Sequence, residues 1–206
     1  SGTEGYTPLH IACSRGHTSI ISALLAGGAD KDAKDNRGAI PLHHTISQDH
    51  VAATESLLAA GANITIGGSF TPFSGSTALH AAAIGNLSSC SSPSSFGGAA
   101  SAISAIDALM DAGADVDAQR LDGGAPLHYA AAFNSLCSRF DVILALLRRG
   151  ASVDLVHSKT AQTPLHVACQ HKKRGVDAVV DLLLRWGADE AAVGGDGRTA
   201  LELLEI

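Results

Sequence analysis

Large apolar residues recur along the chain in pairs, and each pair precedes a glycine-alanine step by a few residues. A pair of this kind fits the buried stripe of an amphipathic helix. Glycine tolerates the left-handed backbone conformation with which many helices end. The pattern therefore predicts five helices, each ending at the glycine of its step. The pairs are Leu24-Leu25, Leu57-Leu58, Leu109-Met110, Leu146-Leu147 and Leu183-Leu184, and the glycines are Gly28, Gly61, Gly113, Gly150 and Gly187.

A second short motif, close to T-P-L-H, precedes each apolar pair, and we call it the repeat word. Its Thr hydroxyl can cap a helix, and Pro suits the first helical position. The small residues after the His let a short helix lie close to its neighbours. One such two-helix unit cannot bury its apolar face alone, so the units must stack. The copies are Thr7-Pro8-Leu9-His10, Ile40-Pro41-Leu42-His43, Thr77-Ala78-Leu79-His80, Ala125-Pro126-Leu127-His128, Thr163-Pro164-Leu165-His166 and a degraded Thr199-Ala200-Leu201-Glu202.

This two-part pattern resembles the ankyrin repeat, whose period is about 33 residues and whose word is T-P-L-H-x-A. The resemblance implies an all-α solenoid of stacked helix-turn-helix units joined by β-hairpin-like loops. It also implies a single domain over residues 1–206. Its units would span about 5–37, 38–74, 75–122, 123–160 and 161–196, with a partial cap at 197–206.

The spacing departs from the repeat within copies three to five. From the first residue of the word to the glycine there are 21 residues in copies one and two, but 36, 25 and 24 in the next three. The extra residues fall between the two helices of each copy. In copy three they lie at about 87–101, and the Ser/Gly-rich part at 88–98 is typical of a flexible loop. In copies four and five they are short enough to lengthen a helix by about one turn.

Composition and charge limit which classes of protein the chain can belong to. Hydrophobic residues make up 46% of the chain, enough for a packed core. The net charge is −6, which is unfavourable for nonspecific DNA binding. Residues 139–174 form a basic island of +5, with 7 Lys/Arg against 2 Asp. Cys13 and Cys169 share one repeat position and are expected to be buried free thiols. This favours a cytoplasmic or nuclear protein.

The resemblance also implies a binding surface, made of the hairpin tips and the exposed side of each first helix. Aromatic residues and Arg are common anchors at interfaces. The candidates carried over to this surface are Tyr6, Arg37, His44, Phe73, Tyr129 and Phe133. The inter-helix insertions of adjacent copies lie side by side, and they are either tolerated loop variation or a second binding edge. The candidates on that edge are Arg139, Lys172, Lys173 and Arg174.

Other chemistry has little support in the sequence. Five of the ten histidines belong to the repeat word, one per copy, and stacked copies hold them roughly 10 Å apart. That separation is too large for shared ligation, so no metal site is predicted. The chain has no phosphate-binding glycine loop, no HExxH motif and no nucleophile elbow. No catalytic or cofactor-binding residue is therefore expected.

The sequence favours a protein-protein interaction module that acts as a monomer, without a cofactor and without a membrane segment. Two alternatives stay open. The chain could serve as a regulatory or positioning domain that docks within a longer parent protein, a reading that the fragment-like ends favour. Five basic residues could instead contact nucleic acid, although the acidic flanks oppose this: Arg148, Arg149, Lys172, Lys173 and Arg174.

Overall fold

The computed structural model describes residues 4–70, 73–84, 97–132, 139–170 and 176–204. Those residues form ten α-helices, which alternate between a short first helix and a longer second helix. The first helices are α1 (Pro8–Ser14), α3 (Pro41–Ser47), α5 (Ala78–Ile84), α7 (Pro126–Ala132) and α9 (Pro164–Gln170). The second helices are α2 (Thr18–Ala26), α4 (Val51–Ala59), α6 (Gly97–Asp111), α8 (Arg139–Arg148) and α10 (Val176–Arg185).

Each first helix begins directly after the first residue of its word. In α1 the Thr7 N–H donates to Nδ1 of His10 (3.1 Å), and the Thr7 hydroxyl lies 2.9 Å from the same nitrogen. Ile40 has no hydroxyl, yet its N–H donates in the same way to Nδ1 of His43 (3.2 Å). The word therefore caps its helix through the histidine, and the hydroxyl adds to that cap where it is present.

The second helices end as the glycine positions predict. Gly28 has a φ of 82°. Its N–H donates to the Leu25 carbonyl (3.0 Å), and the Ala29 N–H donates to the Leu24 carbonyl (2.9 Å). This pair of bonds closes the last turn. The equivalent glycines of the other four copies, Gly61, Gly113, Gly150 and Gly187, also have positive φ angles.

The end of the insertion in copy three is helical. Helix α6 spans 15 residues against 9 in α2 and α4, and it begins at Gly97. Residues 97–101, which the spacing assigned to the insertion, therefore lie in the second helix of the copy. Alanine is the strongest helix former and follows the two glycines directly, which accounts for the longer helix. The remainder of the predicted loop, 85–96, lies outside the described residues.

The shorter insertions do not add a full turn to the described helices. Helices α8 and α10 have 10 residues each, one more than α2 and α4. The residues that precede them, 133–138 and 171–175, lie outside the described part of the chain. Whether those residues form a second binding edge stays a prediction.

The connection between copies two and three contains two short strands. Strand β1 (Gly68–Phe70) pairs antiparallel with β2 (Phe73–Ser76), with Gly68 opposite Ser76 and Phe70 opposite Phe73. The other described connections are tight hairpin turns. In one of them the Asp35 N–H donates to the Ala39 carbonyl (2.9 Å), and in another the Arg120 N–H donates to the Gly124 carbonyl (3.0 Å). These are the β-hairpin-like loops that the resemblance implied.

The helices pack into two compact units, Ser1–Ala114 and Asp115–Ile206. In the first, α1, α3 and α5 stack in a row, and α2, α4 and α6 form a second row behind them. In the second, α7 packs on α9, α8 packs on α10, and a 3-10 helix at Leu201–Leu203 packs on α9. The largest fully buried side chains are Leu and Ile: Leu9, Ile21, Ile40, Leu42, Leu57, Leu79, Ile106, Leu109, Leu127, Ile143, Leu146 and Leu165.

This core confirms the predicted all-α repeat fold. Small and branched side chains fill it, as the aromatic content of 4% requires. The exact division into repeats within one domain stays a prediction.

Candidate functional site

The hairpin between copies one and two is built around a buried carboxylate. Oδ1 of Asp35 accepts from the N–H groups of Arg37 (2.8 Å) and Ala39 (2.9 Å). Oδ2 lies 3.0 Å from Nε2 of His44 on helix α3. The Asp35 side chain is only 1% exposed. Burial works against its ionisation, but these hydrogen bonds outweigh burial and lower the pKa of Asp35 below its ordinary value.

Three rings gather next to this carboxylate. His44 meets Tyr6 edge to face, with centroids 5.2 Å apart, and meets His10 in the same way at 5.3 Å. Tyr6 stacks on His10 at 5.9 Å. Tyr6, His10, Asp35, Arg37 and His44 form what we call the first-unit cluster. It joins residues of two adjacent repeats.

The outer side of the first-unit cluster is open to solvent. Tyr6 is 42% exposed. The Arg37 side chain is 50% exposed, and its guanidinium lies 3.2 Å from a carboxylate oxygen of Glu4. The Tyr6 hydroxyl donates to the same Glu4 oxygen at 3.4 Å. Two of the predicted binding residues, Tyr6 and Arg37, therefore stand together on an accessible surface, with the third, His44, half-buried behind them.

The second unit has a different set of side chains at the equivalent positions. Arg120 occupies the repeat position that Asp35 occupies in the first unit, and Tyr129 occupies the repeat position of His44. The Arg120 guanidinium lies 4.8 Å from the centre of the Tyr129 ring. The Tyr129 hydroxyl donates to Oδ1 of Asp122 (2.6 Å), and a guanidinium nitrogen of Arg120 lies 3.5 Å from Oδ2 of Asp122. Burial, with the neighbouring Asp122, raises the pKa of Tyr129.

Tyr129 thus occupies a different environment from the one its sequence position suggested. It belongs to helix α7, is only 8% exposed, and contacts Arg120 and Asp122 of the hairpin. Its replacement is expected to lower stability as well as any binding, because a buried ring and a hydrogen bond to a charged group would be lost together.

The remaining predicted residues cannot be placed in a site. Phe73 lies in strand β2, and Arg139 begins helix α8, but the positions of their side chains lie outside what the structure describes. Phe133, Lys172, Lys173 and Arg174 also lie outside the described residues. Their roles stay predictions.

The histidines of the repeat word have a structural role. Nδ1 of His43 and Nδ1 of His128 each accept from a backbone N–H, so the proton of each ring resides on Nε2 and can be donated to a carbonyl of the following repeat. Nε2 of His43 lies 3.0 Å from the Ser76 carbonyl oxygen, and Nε2 of His128 lies 3.1 Å from that of Gln162. Burial lowers the pKa of both rings to about 4. Each of these two bonds ties a repeat to the one that follows it within the same unit.

The sequence patterns did not single out the charged residues that organise the first-unit cluster and the contacts around Tyr129. Asp35 and Arg120 contribute side chains that are almost fully buried, and Asp122 holds the Tyr129 hydroxyl. The hairpin sequence would have given a weak signal, because Asp and Asn side chains commonly accept from backbone N–H groups two residues ahead. The same bond recurs at Asp30, whose Oδ1 accepts from the Asp32 N–H at 2.9 Å.

His10 and His44 occupy two different repeat positions in adjacent copies, so the separation expected between equivalent histidines does not apply to them. One ligand atom from each of His10, Asp35 and His44 lies within 4.8 Å of the others.

Comparisons with known proteins agree with the repeat pattern. A protein-family profile described as "Ankyrin repeats (3 copies)" matches residues 1–68 and 98–193, which is most of the chain. The chain is 42% identical over 77 residues to the Ankyrin repeat and LEM domain-containing protein 1 homolog of Caenorhabditis elegans. It is 44% identical over 81 residues to the human Ankyrin repeat and SOCS box protein 18. It is 34% identical over 95 residues to the human Palmitoyltransferase ZDHHC13.

These likenesses cover only part of each protein. They span 37%, 39% and 46% of this chain, and 10%, 16% and 14% of the respective relatives. The LEM domain, the SOCS box and the palmitoyltransferase activity in those names belong to those proteins. In the described part of this chain, no helix has both the length and the apolar character that crossing a membrane requires.

Proposed function

The chain belongs to the ankyrin-repeat family, and from that premise we propose that it binds a partner protein through its hairpin tips and first helices. Ankyrin repeats in general mediate protein-protein interaction. The observation that carries the proposal is the accessible part of the first-unit cluster. Tyr6 and the Arg37 side chain are 42% and 50% exposed there, on a backbone held by several hydrogen bonds.

The rigidity of this surface supports the proposal. The Asp35 carboxylate fixes the hairpin from inside, and the Asn36 N–H donates to the Glu4 carbonyl of the preceding hairpin (3.0 Å). Side chains on such a framework lose little conformational entropy on association, so a limited number of contacts suffices for binding. On α1, Ile11 adds an apolar side chain that is 45% exposed.

Charge reversal of Arg37 tests the proposal. We expect Arg37→Glu to reduce capture of the partner about tenfold, which is a typical loss at an interface anchor. The substitution removes the anchor and adds an acidic group beside Glu4 and Asp35. The melting temperature should change little, since the Arg37-Glu4 pair is exposed. The measurement is quantitative affinity capture by the immobilised chain, followed by mass spectrometry.

Arg185→Glu is the matched control for this experiment. Arg185 forms an ion pair with Asp181 at 2.9 Å on helix α10 and is 75% exposed, so its reversal disrupts a comparable surface pair away from hairpins and first helices. The proposal fails if Arg37→Glu and Arg185→Glu retain the same proteins at the same level.

A second candidate function is intramolecular docking within a longer parent protein. It is favoured by the relatives, because the chain matches only 10% to 16% of their lengths and their names include other domains. In that case the surface around Tyr6 and Arg37 would be protected from hydrogen exchange in the parent protein and accessible in the isolated chain. Equal exchange in both would exclude docking at this surface.

The proposal assigns no catalytic step to the chain itself. The buried charged groups, Asp35 and Arg120, are engaged with neighbouring protein groups, and Asp122 accepts the Tyr129 hydroxyl. These contacts fix hairpins to helices, which suits a binding framework. A broad activity screen of the purified chain would overturn this part if it found turnover of a small molecule.

We further propose an intracellular location for the chain, in the cytoplasm or nucleus. Cys13 and Cys169 are buried free thiols, and burial raises their pKa values to about 12 and about 11. Such thiols stay protonated and unreactive, and free thiols persist in reducing compartments. Fluorescence microscopy of the tagged parent protein tests this location.

A further inference from the structure

We propose that His10, Asp35 and His44 bind a divalent transition-metal ion of the zinc class. Imidazole nitrogens and a carboxylate oxygen are ligands that zinc prefers, and two His with one acidic residue make a complete three-ligand protein set. Each residue offers one ligand atom, and these atoms lie within 4.8 Å of one another. Water would take the fourth position.

Asp35 and His44 need little movement to hold the ion. Zinc lies about 2.0–2.2 Å from such ligand atoms, so adjacent ligands of a tetrahedral site are roughly 3.3 Å apart. Oδ2 of Asp35 and Nε2 of His44 are already 3.0 Å apart. Oδ1 is held by the N–H groups of Arg37 and Ala39, which leaves Oδ2 directed at the imidazole. The ion would take the place of the proton on Nε2 of His44, and that proton would move through solvent to Nδ1 of the same ring, so the imidazole stays neutral.

His10 must change its tautomer to join them. Its Nε2 now lies 3.2 Å from the Ala39 carbonyl oxygen and donates to it, while Nδ1 accepts from the Thr7 N–H. If Nε2 binds the ion, the proton moves to Nδ1, where the Thr7 hydroxyl oxygen lies 2.9 Å away and can accept it. A hydrogen bond of this kind on the far ring nitrogen is common among histidine ligands.

This rearrangement also limits the affinity. Binding replaces the bonds that His10 makes to the Ala39 carbonyl and the Thr7 N–H, so part of the coordination energy is offset. We expect a dissociation constant on the order of micromolar, weaker than that of a structural zinc site.

The repeat fold alone does not create this ligand set. At the positions of Asp35 and His44 the second unit has Arg120 and Tyr129, and a guanidinium excludes a metal ion from the equivalent place. The first-unit set is buried at His10 and Asp35 and borders solvent at His44, whose side chain is 12% exposed. The second unit therefore provides controls in the same protein.

The test is titration of the metal-free full chain with ZnCl2 by isothermal calorimetry, with CoCl2 as a spectroscopic probe. We expect zinc to bind and to raise the melting temperature. Cobalt should give the visible absorption bands of a tetrahedral site without thiolate charge-transfer bands. Asp35→Asn and His44→Gln keep hydrogen-bonding groups in place but remove a ligand. Each should weaken zinc binding by at least about tenfold.

Two matched controls keep the test decisive. Asp122→Asn alters the hairpin carboxylate of the second unit and should leave zinc binding unchanged. Thr7→Ala and Thr163→Ala each remove a hydroxyl next to a repeat histidine, at 2.9 and 2.8 Å, but only Thr7→Ala should weaken zinc binding. This second pair reports on the site even if Asp35→Asn does not fold.

The proposal is overturned by either of two results. One is a wild-type chain that binds no zinc at millimolar concentration. The other is zinc binding that remains equally strong in Asp35→Asn, His44→Gln and Thr7→Ala, which would locate the ion elsewhere.

Discussion

Ala161 adopts a left-handed backbone conformation, and glycine occupies the same turn position in five other hairpins. Its φ is 52°, in the left-handed region where a side chain is unfavourable. The glycines at the same turn position are Gly5, Gly38, Gly75, Gly123 and Gly197, with φ angles of 71°, 73°, 82°, 91° and 77°. The hydrogen bonds of the hairpin hold Ala161 there, since its N–H donates to the His157 carbonyl at 2.9 Å.

Replacement of Ala161 by glycine should stabilise the protein by up to about 1 kcal/mol, because relief of the left-handed strain exceeds the added entropy of the unfolded chain. Gly38→Ala should have the opposite effect and destabilise by about 1 kcal/mol. An added Cβ at Gly38 would meet nothing within 4 Å, so that substitution isolates the backbone cost. Urea denaturation measures both.

Ala108→Gly within helix α6 is the control for this pair. Its cost should be about 1 kcal/mol, the ordinary penalty of glycine in a helix. If Ala161→Gly destabilised the protein as much as Ala108→Gly, strain at Ala161 would be excluded.

The first helices differ in how completely their N-termini are capped. In α9 the Thr163 N–H donates to Nδ1 of His166 (3.3 Å), and the Thr163 hydroxyl lies 2.8 Å from that nitrogen. In α7 only the backbone part of this arrangement is present, through the Ala125 N–H and Nδ1 of His128 (3.2 Å). Both positions are buried, Ala125 at 0% and Thr163 at 3% exposure, so a buried Thr fits this place in the fold.

Ala125→Thr should therefore raise the stability of the chain by about 0.5–1 kcal/mol through the missing hydroxyl. Thr163→Ala should lower it by a similar amount. Differential scanning calorimetry measures both changes, and Ala125→Ser supplies the hydroxyl without the added methyl group. A lower melting temperature for both Ala125→Thr and Ala125→Ser would refute the capping argument.

Two buried repeat histidines, one in each unit, make the stability of the protein depend on pH. His43 in the first unit and His128 in the second have pKa values of about 4, chiefly because burial disfavours the charged ring. In the unfolded chain these groups have a pKa of about 6.5. Between these two values the unfolded state binds protons that the native state does not, so stability decreases as the pH falls.

We expect each histidine to contribute roughly 3 kcal/mol of stability at neutral pH that is lost between about pH 6.5 and pH 4. Asp35 and Asp122 contribute little in that window, because their lowered pKa values place their loss at a lower pH. Urea denaturation at pH 7 and pH 5 measures the loss. Imidazole proton resonances of His43 and His128 that titrate near pH 6.5 would contradict it.

Local sequence was sufficient to place most of the helices. The ends of α1 and α2 are specified by Pro, by the histidine of the repeat word and by the terminal glycine. Each of these residues interacts with backbone groups no more than four residues away, so the helix ends can be predicted without knowledge of the fold. The start of α6 was predicted less well, because the Ser/Gly-rich composition before it also suits a loop, and only the structure shows that Gly97 joins the helix.

The candidate site was predicted in part. Tyr6 and Arg37, two candidates taken from the repeat positions, are exposed on adjacent hairpins, and their role in binding stays a prediction. The repeat positions did not indicate that Tyr129 is buried, because its burial depends on side chains of the hairpin such as Arg120, whose guanidinium lies over the ring.

The sequence by itself determined the repeat unit, its helices and its apolar core, because these follow from interactions between neighbouring residues and from a pattern repeated five times. Only the tertiary structure decided which side chains meet between repeats. Asp35 reaches His44, and His10 reaches Ala39, across separations of 9 and 29 residues. Burial, charge and metal-ligand geometry depend on these contacts, because it is the stacking of repeats that brings the side chains together.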